Sequence, residues 1–344
     1  MQEQRVKGFV SVKPEGYIKP LGVTEITENG TYNVKEFEFA NVNVKGNEGG
    51  SLKKLLDYTK STRYMFYKNT TITDLTGLIE YNDTENVENM SDMCNECTNL
   101  KKFPLINTAK VKRFDYAFIR CMSMTDIGEI NMQSCTQSEY MFNNCNYITK
   151  IYLTNTENIT SSQSMFRSCY RLTYVSPIKS KLIANMSYMY CECKALEKLL
   201  NINTDANQDF SWMFRYCEKL KIVDISMFNC SSTNNSRSVF EYCYSLKAVV
   251  IREFGSNYII NSNAFQYCYH ILGTTNSTYN PDGLQDGYIY VPREMIALLE
   301  VASNWSTIAT QLRALEDYTL DGTTTGELDL EKMGLGDLNE WANS

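Results

Sequence analysis

The sequence predicts a mostly β repeat solenoid: short strands in a parallel sheet, short helical turns, a small N-terminal β module and an α/β C-terminal cap. Two observations predict it. Eight of the twelve cysteines, Cys97, Cys121, Cys145, Cys169, Cys193, Cys217, Cys243 and Cys268, are separated by 24, 24, 24, 24, 24, 26 and 25 residues. Each sits in the same phrase, Met/Ala-Phe-x-x-Cys-x-x-Leu, and an earlier copy, YMFYKNTTI, carries Asn69 at the cysteine register. One coil of this length cannot bury its own apolar side, whereas stacking it between copies can.

The elements follow in chain order. Residues 1–46 form a separate small module, in which Asn29-Gly30 between two alternating runs signals a hairpin and Phe37, Phe39, Val42 and Val44 offer an apolar side. Residues 47–59 read as linker and entry to the repeats, with Gly46-Asn47-Glu48-Gly49-Gly50-Ser51 at their start. Residues 60–275 hold nine coils. Six residues after the cysteine a further apolar anchor usually comes (Phe103, Ile127, Ile151, Val175, Leu199, Val223, Val249), and ten before it, on several rungs, another (Val87, Val111, Ile159, Ile183). Segments 148–154 and 220–226 alternate as strands, which would pair into a continuous parallel sheet, and Met-Phe-x-x-Cys makes a tight turn or a single helical turn opposite. Residues 276–318 are a cap for the raw end of the stack: a turn at Pro281-Asp282-Gly283, a strand at 288–291, then a helix after Pro292 with Met295, Ile296, Leu298, Leu299 and Val301 as its apolar face and Trp305 as the main plug. Residues 319–344 are an acidic tail, either docked on a neighbour or frayed.

The cysteine ladder is read as packed, reduced thiols, since cysteine behaves as a small buried hydrophobe. Two alternatives stand beside it. Stacked rungs would place thiols within disulfide reach, and Cys94–Cys97 resembles half a zinc site with no second pair to complete it. Cys135, Cys191 and Cys230 fall off the ladder.

Composition narrows function. Lys and Arg total 33 against 40 for Asp and Glu, a formal charge of −7, which argues against nucleic-acid partners. No apolar run is long enough to insert in a membrane, and the N-terminus lacks a secretory h-region. His270 is the sole histidine, so no catalytic, cofactor-binding or metal-ligating residue is expected. Asp224 and Glu241 are the carboxylates that a glycan-degrading enzyme would pair, the least favoured reading. Aromatic residues recur five before the cysteine register (Tyr64, Tyr116, Tyr140, Tyr188, Trp212), as expected of a stacked wall. A second group flanks the cysteines on late rungs. Tyr170, Tyr216, Tyr242, Tyr244, Tyr267 and Tyr269 form the candidate binding surface, because phenol rings with polar tips are favoured recognition residues.

The phrases NMSYMYCECKALEKL, YMFNNCNYITKI and SMFRSCYRLTYV resemble the BspA-like leucine-rich repeat. That resemblance implies a solenoid used in adhesion and carries over no catalytic residues. ITENGTYNV…FANVNV and VPREMIALLEVASNWSTIATQLRALEDY resemble segments of phage and prophage structural proteins. Together they lead to the expectation of a non-enzymatic virion protein of tail, baseplate or head fibre, homo-oligomeric, joined to other virion proteins through its N-terminal module, and contacting a host-surface glycan or protein. The alternative is a bacterial cell-surface adhesin.

Overall fold

β1 (Lys19–Ile26) and β2 (Tyr32–Glu38) pair antiparallel, the hairpin that the alternating runs predict. The computed structural model describes residues 60–76, 79, 81–273 and 282–338, with the backbone alone for those two strands. The Asn29-Gly30 turn, the apolar side built from Phe37, Phe39, Val42 and Val44, the 46–51 linker and residues 339–344 lie outside what is described. The chain divides into two compact units, Met1–Ser176 and Pro177–Ser344.

In the first unit the strand wall consists of two-residue pairs. β3 (Lys102–Phe103) pairs with β4 (Asp126–Ile127), β5 (Ile130–Asn131) with β7 (Leu153–Thr154), and β6 (Lys150–Ile151) with β8 (Tyr174–Val175), all parallel. Gly128 lies on the backbone of the preceding rung: a Cβ there would meet Leu105 Cα at 2.5 Å, so only glycine permits this close approach. The second unit has the continuous sheet that the repeat predicts throughout. β9 (Lys198–Ile202), β10 (Ile222–Ile225), β12 (Ala248–Ile251), β14 (Tyr288–Val291) and β15 (Leu312–Ala314) pair in that order. β11 (Phe228–Cys230) and β13 (Phe254–Tyr258) pair beside them.

The opposite wall is built from turns whose hydrogen bonding explains the repeat. Phe66 N–H donates to Met93 O of the next rung and Lys68 N–H to Asn95 O, each at 2.7 Å. The intervening N–H groups close i→i+3 turns within the rung, Tyr67 to Tyr64 O and Asn69 to Phe66 O. The next rung repeats this, Cys94 to Ala117 O and Glu96 to Ile119 O, so the donors of the wall are used without a regular helix or strand. To aim them this way, the residues five and one before the cysteine register adopt left-handed backbone. Tyr64, Lys68, Asp92, Glu96, Tyr116, Arg120, Trp212 and Tyr216 have φ between 56° and 60°. Such a conformation costs an ordinary residue roughly 1–2 kcal/mol, and the cross-rung bonds hold it in place.

The inward columns are buried throughout the stacks. Phe118, Phe142 and Phe166 stack in one unit and Tyr190, Phe214, Phe240 and Phe265 in the other. At the C-terminal end, α1 (Tyr269–Leu272) closes the last rung and α2 (Arg293–Val301) follows Pro292 as predicted. The helix face needs correction. Leu299 is buried and Met295 and Ile296 half-buried, but Leu298 is 52% and Val301 82% exposed, because the short helix turns only its 295/296/299 side inward. Trp305 is fully buried, edge-on to Phe228 and Phe254, with its Nε1 donating to Tyr258 O at 2.7 Å.

The acidic tail docks on its own unit. Leu330, Leu335 and Leu338 pack with Ile222, Ala248, Val250, Tyr290 and Leu315 over the outer face of the sheet. Lys198 donates to Leu338 O, Lys221 pairs with Asp337, and Arg252 donates to Thr324 O and Gly326 O. Arg252 also grips Asp224 through two bonds of 2.8 Å. Burial pushes the Asp224 carboxyl above its ordinary pKa even though the guanidinium pulls it down.

Candidate functional site

The cysteine column comes first because it tests the rival readings. All twelve cysteines are buried thiols and none forms a disulfide. The ladder sulfurs also act as hydrogen-bond donors. Seven of them donate to the carbonyl, in the preceding rung, of the residue three before that rung's cysteine register. Cys97 Sγ donates to Phe66 O at 2.8 Å, Cys121 to Cys94 O, Cys145 to Phe118 O and Cys169 to Phe142 O. Cys217, Cys243 and Cys268 donate in the same way to Tyr190, Phe214 and Phe240 O. That carbonyl also accepts the N–H of its own rung's cysteine position, so the thiol fills its second lone pair. The first described rung carries Asn69, whose Oδ1 turns inward to accept from Thr71 and Ile72 N–H.

Burial pushes the thiols of Cys121, Cys145, Cys217, Cys243 and Cys268 up, that of Cys169 to about 12, and those of the off-ladder Cys135 and Cys230 likewise to about 12. Cys135 stands ten residues before Cys145, in the buried column of Val87, Val111 and Ile159. Cys94 is a core residue whose thiol is raised by burial and by neighbouring sulfurs, led by Cys97. Among the described residues no group of three His, Cys, Asp or Glu is placed to hold a metal.

The carboxylates singled out by sequence do not face each other as a pair. Asp224 is taken by Arg252, and Glu241 by Arg215, whose Nε lies 2.6 Å from Glu241 Oε2. His270 belongs to the cap, its Nδ1 2.6 Å from Asp286 Oδ1. Lys101 and Lys102 are exposed, and Lys53-Lys54 lies outside the described residues.

The candidate tyrosines divide between the units. Tyr170 is exposed on the first; the other five lie together on the second. Tyr216, Tyr242 and Tyr267 stack face to face, centroids 4.3 and 4.5 Å apart and planes within 12°. Tyr244 and Tyr269 form a second stack at 5.5 Å, meeting the first edge-on at Tyr242 and Tyr267. Arg215 lies over Tyr216 at 4.6 Å and Arg237 over Trp212, which itself stacks on Tyr188. The stacking has a chemical consequence: the middle ring of the row has both faces covered, so the row presents ring edges and hydroxyls. Burial, then the hydroxyl of Tyr216, raises the Tyr242 phenol above its usual value, so its hydroxyl stays protonated and can donate. The sequence did not single out Arg215, Arg237 and Trp212 as part of this surface. Their one signal is position, since they fall two, five or six residues before the register.

Parallel rung-to-rung bridges and thiol ladders define the protein as a β-solenoid of the repeat class. Residues 136–272 match the BspA type leucine rich repeat region in six copies. The chain thus carries BspA-type leucine-rich repeats, as its recurring phrase indicates. Residues 60–176 match a family described as Mycoplasma protein of unknown function, DUF285. No curated protein is similar to the chain. Among solved structures, a leucine rich cell surface protein from Faecalibacterium prausnitzii A2-165 is 18% identical over 67% of this chain and 76% of that chain, with a TM-score of 0.27.

Proposed function

We propose that the chain is a non-catalytic attachment protein, acting at a bacterial surface, that binds a protein partner through the tyrosine face of its second unit. The observation that carries this is the clustering of Tyr216, Tyr242, Tyr244, Tyr267 and Tyr269 with Arg215, Arg237 and Trp212. Tyrosine, tryptophan and arginine are the residues in which interface binding energy concentrates. Rings already stacked on one another lose little freedom on binding and offer a firm amphipathic edge. The carboxylates Asp224 and Glu241 each satisfy an arginine, which favours binding over hydrolysis. The BspA-type repeats support the adhesin reading over the virion reading, which rests on the flanking phrases alone. Several copies displayed together would multiply weak contacts into firm attachment.

The test compares purified chain with a Tyr242→Ser/Tyr267→Ser double variant in binding to whole host cells. Each stacked pair is worth about 0.5–1.5 kcal/mol, so the variant stays folded while the face is lost. Binding should fall by about tenfold or more, as loss of one interface anchor does. Undiminished binding discards this surface.

A further inference from the structure

We propose that a polar cleft in the first unit binds a single neutral sugar ring. The site is separate from the tyrosine face, and the inference does not depend on the reading of that face. The cleft measures about 160 Å³ and crosses the turn wall of four successive rungs, with Arg63, Asp92, Arg113, Asp115, Tyr116 and Glu139 in its lining. Its charges are already matched internally. Arg63 Nε lies 3.7 Å from Asp92 Oδ2, Arg113 Nη2 lies 3.0 Å from Asp115 Oδ2, and Glu139 accepts the Ser161 hydroxyl. An ionic ligand would therefore have to break a pair to enter.

What remains open is a mixture of donors and acceptors: spare carboxylate lone pairs, guanidinium N–H groups, and the Gln137 amide, also in the lining. A ligand whose every group both donates and accepts fits that mixture, which describes a ring of hydroxyls. One polar atom in the lining residues reinforces this. Ser91 Oγ is buried without a hydrogen-bond partner, and Ser91 is only 3% exposed. Such an orphaned group costs about 1–3 kcal/mol, and a small rotation would bring it to an incoming hydroxyl.

Tyr116 supplies the apolar half of the recognition. One face stacks on Tyr140, 4.9 Å away and 5° from parallel. The preceding rung places Asp92, not a ring, at the same register, so the aromatic column ends here and the other face of Tyr116 is turned toward the cleft. Tyr116 is 36% exposed. This is the contrast with the second unit, where rings cover one another. A pyranose offers what such a ring accepts, a flat patch of C–H beneath a rim of hydroxyls.

Saturation-transfer NMR on the full chain, with the methyl α- and β-glycosides of glucose, galactose, mannose and N-acetylglucosamine, tests the proposal. At least one should bind saturably with a Kd of about 1 mM, the range for one small polar ligand. Tyr116→Ala should weaken it by about tenfold or more, and Tyr242→Ser, on the other unit, should leave it within about twofold. Should Tyr116→Ala lose the native thermal transition, Arg113→Gln decides instead, since that half-exposed guanidinium pairs with Asp115 within the cleft and its loss should also cost about tenfold. The proposal is overturned if no glycoside binds saturably, or if the deciding variant binds as the native chain does.

Discussion

If the ladder thiols are hydrogen-bond donors as well as fillers, replacing Cys145 by alanine and by serine should give an order of stability that packing alone forbids. Cys145 is fully buried and donates to Phe118 O at 3.1 Å. Alanine removes the sulfur and the bond. The lost burial and small cavity cost about 1 kcal/mol, as for one methylene-sized group. The lost bond adds about 0.5 kcal/mol, the low end for a weak donor. Phe118 O is not orphaned, because it keeps the N–H of Cys121 at 3.1 Å. The alanine variant should thus lose about 1–2 kcal/mol. Serine removes the same sulfur but keeps a donor on the same Cβ. If the carbonyl awaits a donor, the hydroxyl reaches it and serine matches or exceeds alanine. If the site is only greasy, serine buries an unpartnered hydroxyl and falls about 1–3 kcal/mol below alanine. Urea unfolding, read from midpoint shifts at constant slope in the transition containing the first unit, measures both. Serine less stable than alanine by about 1 kcal/mol or more refutes the donor role.

Other consequences are simpler to read. Iodoacetamide at pH 8 should leave all twelve cysteines untouched in the folded chain and alkylate them in urea, since every one is buried away from the reagent; rapid native labelling would contradict the reduced, packed ladder. The raised thiol pKa values fix a pH dependence. Cys135, Cys169 and Cys230 ionise near 12 when folded and near 9 when unfolded, so their stabilisation is complete below pH 9 and is lost as pH rises toward 12. The loss is about 1.4 kcal/mol per pH unit for each thiol, and equal urea midpoints at pH 8 and 10 would contradict it. Arg252→Met strands the buried Asp224 and should cost about 3–5 kcal/mol, whereas Arg252→Met with Asp224→Leu should recover most of it; a single variant as stable as the native chain would mean the pair carries nothing. Leu335→Ala should loosen the tail from the outer sheet, costing about 2–4 kcal/mol and raising the fluorescence of a dye specific for exposed apolar surface; no dye response would mean the tail covers nothing that matters.

The sequence announced the fold through residues whose environment repeats: Phe142, Cys145, Ile148 and Ile151 meet the same neighbours on every rung, so the same choice recurs. It also announced Trp305, because a stack must end and a large ring near a helix is what ends it. The left-handed residues were hidden for a physical reason. Glycine usually advertises positive φ, yet here the cross-rung bonds hold that conformation so firmly that Tyr64, Asp92, Arg120 and Trp212 all adopt it. The docked tail was legible only as one of two outcomes, because Leu335 and Leu338 have the spacing of one helical turn but nothing in the tail names the face it covers. A signal did exist in the partner face: outward strand positions read Lys102, Asp126 and Lys150 in the first unit but Ile222, Ala248 and Val250 in the second. Outward apolar residues on a strand announce a cover, and only the tail remained to supply it.

The two proposed binding surfaces then have a common origin in the turn wall. Its backbone is fixed by bonds that make no reference to the side chain at the left-handed positions, most of which are exposed or half-buried while the residue that follows each is buried. One before the cysteine register these positions run Lys68, Glu96, Arg120, Asn144 and the buried Ser168, then Glu192, Tyr216, Tyr242 and Tyr267 on the second unit. Five before it they include Asp92, Tyr116 and Tyr140. The conformational cost is similar among unbranched and aromatic side chains such as Lys, Arg, Glu and Tyr, so exchanging one of these for another alters the surface and leaves the rung intact. On the proposed reading, recognition is written on the strained positions, and stability rests on the columns beneath them. Tyr116 and Tyr242 are accordingly better targets for changing what the protein binds than any residue of the thiol ladder.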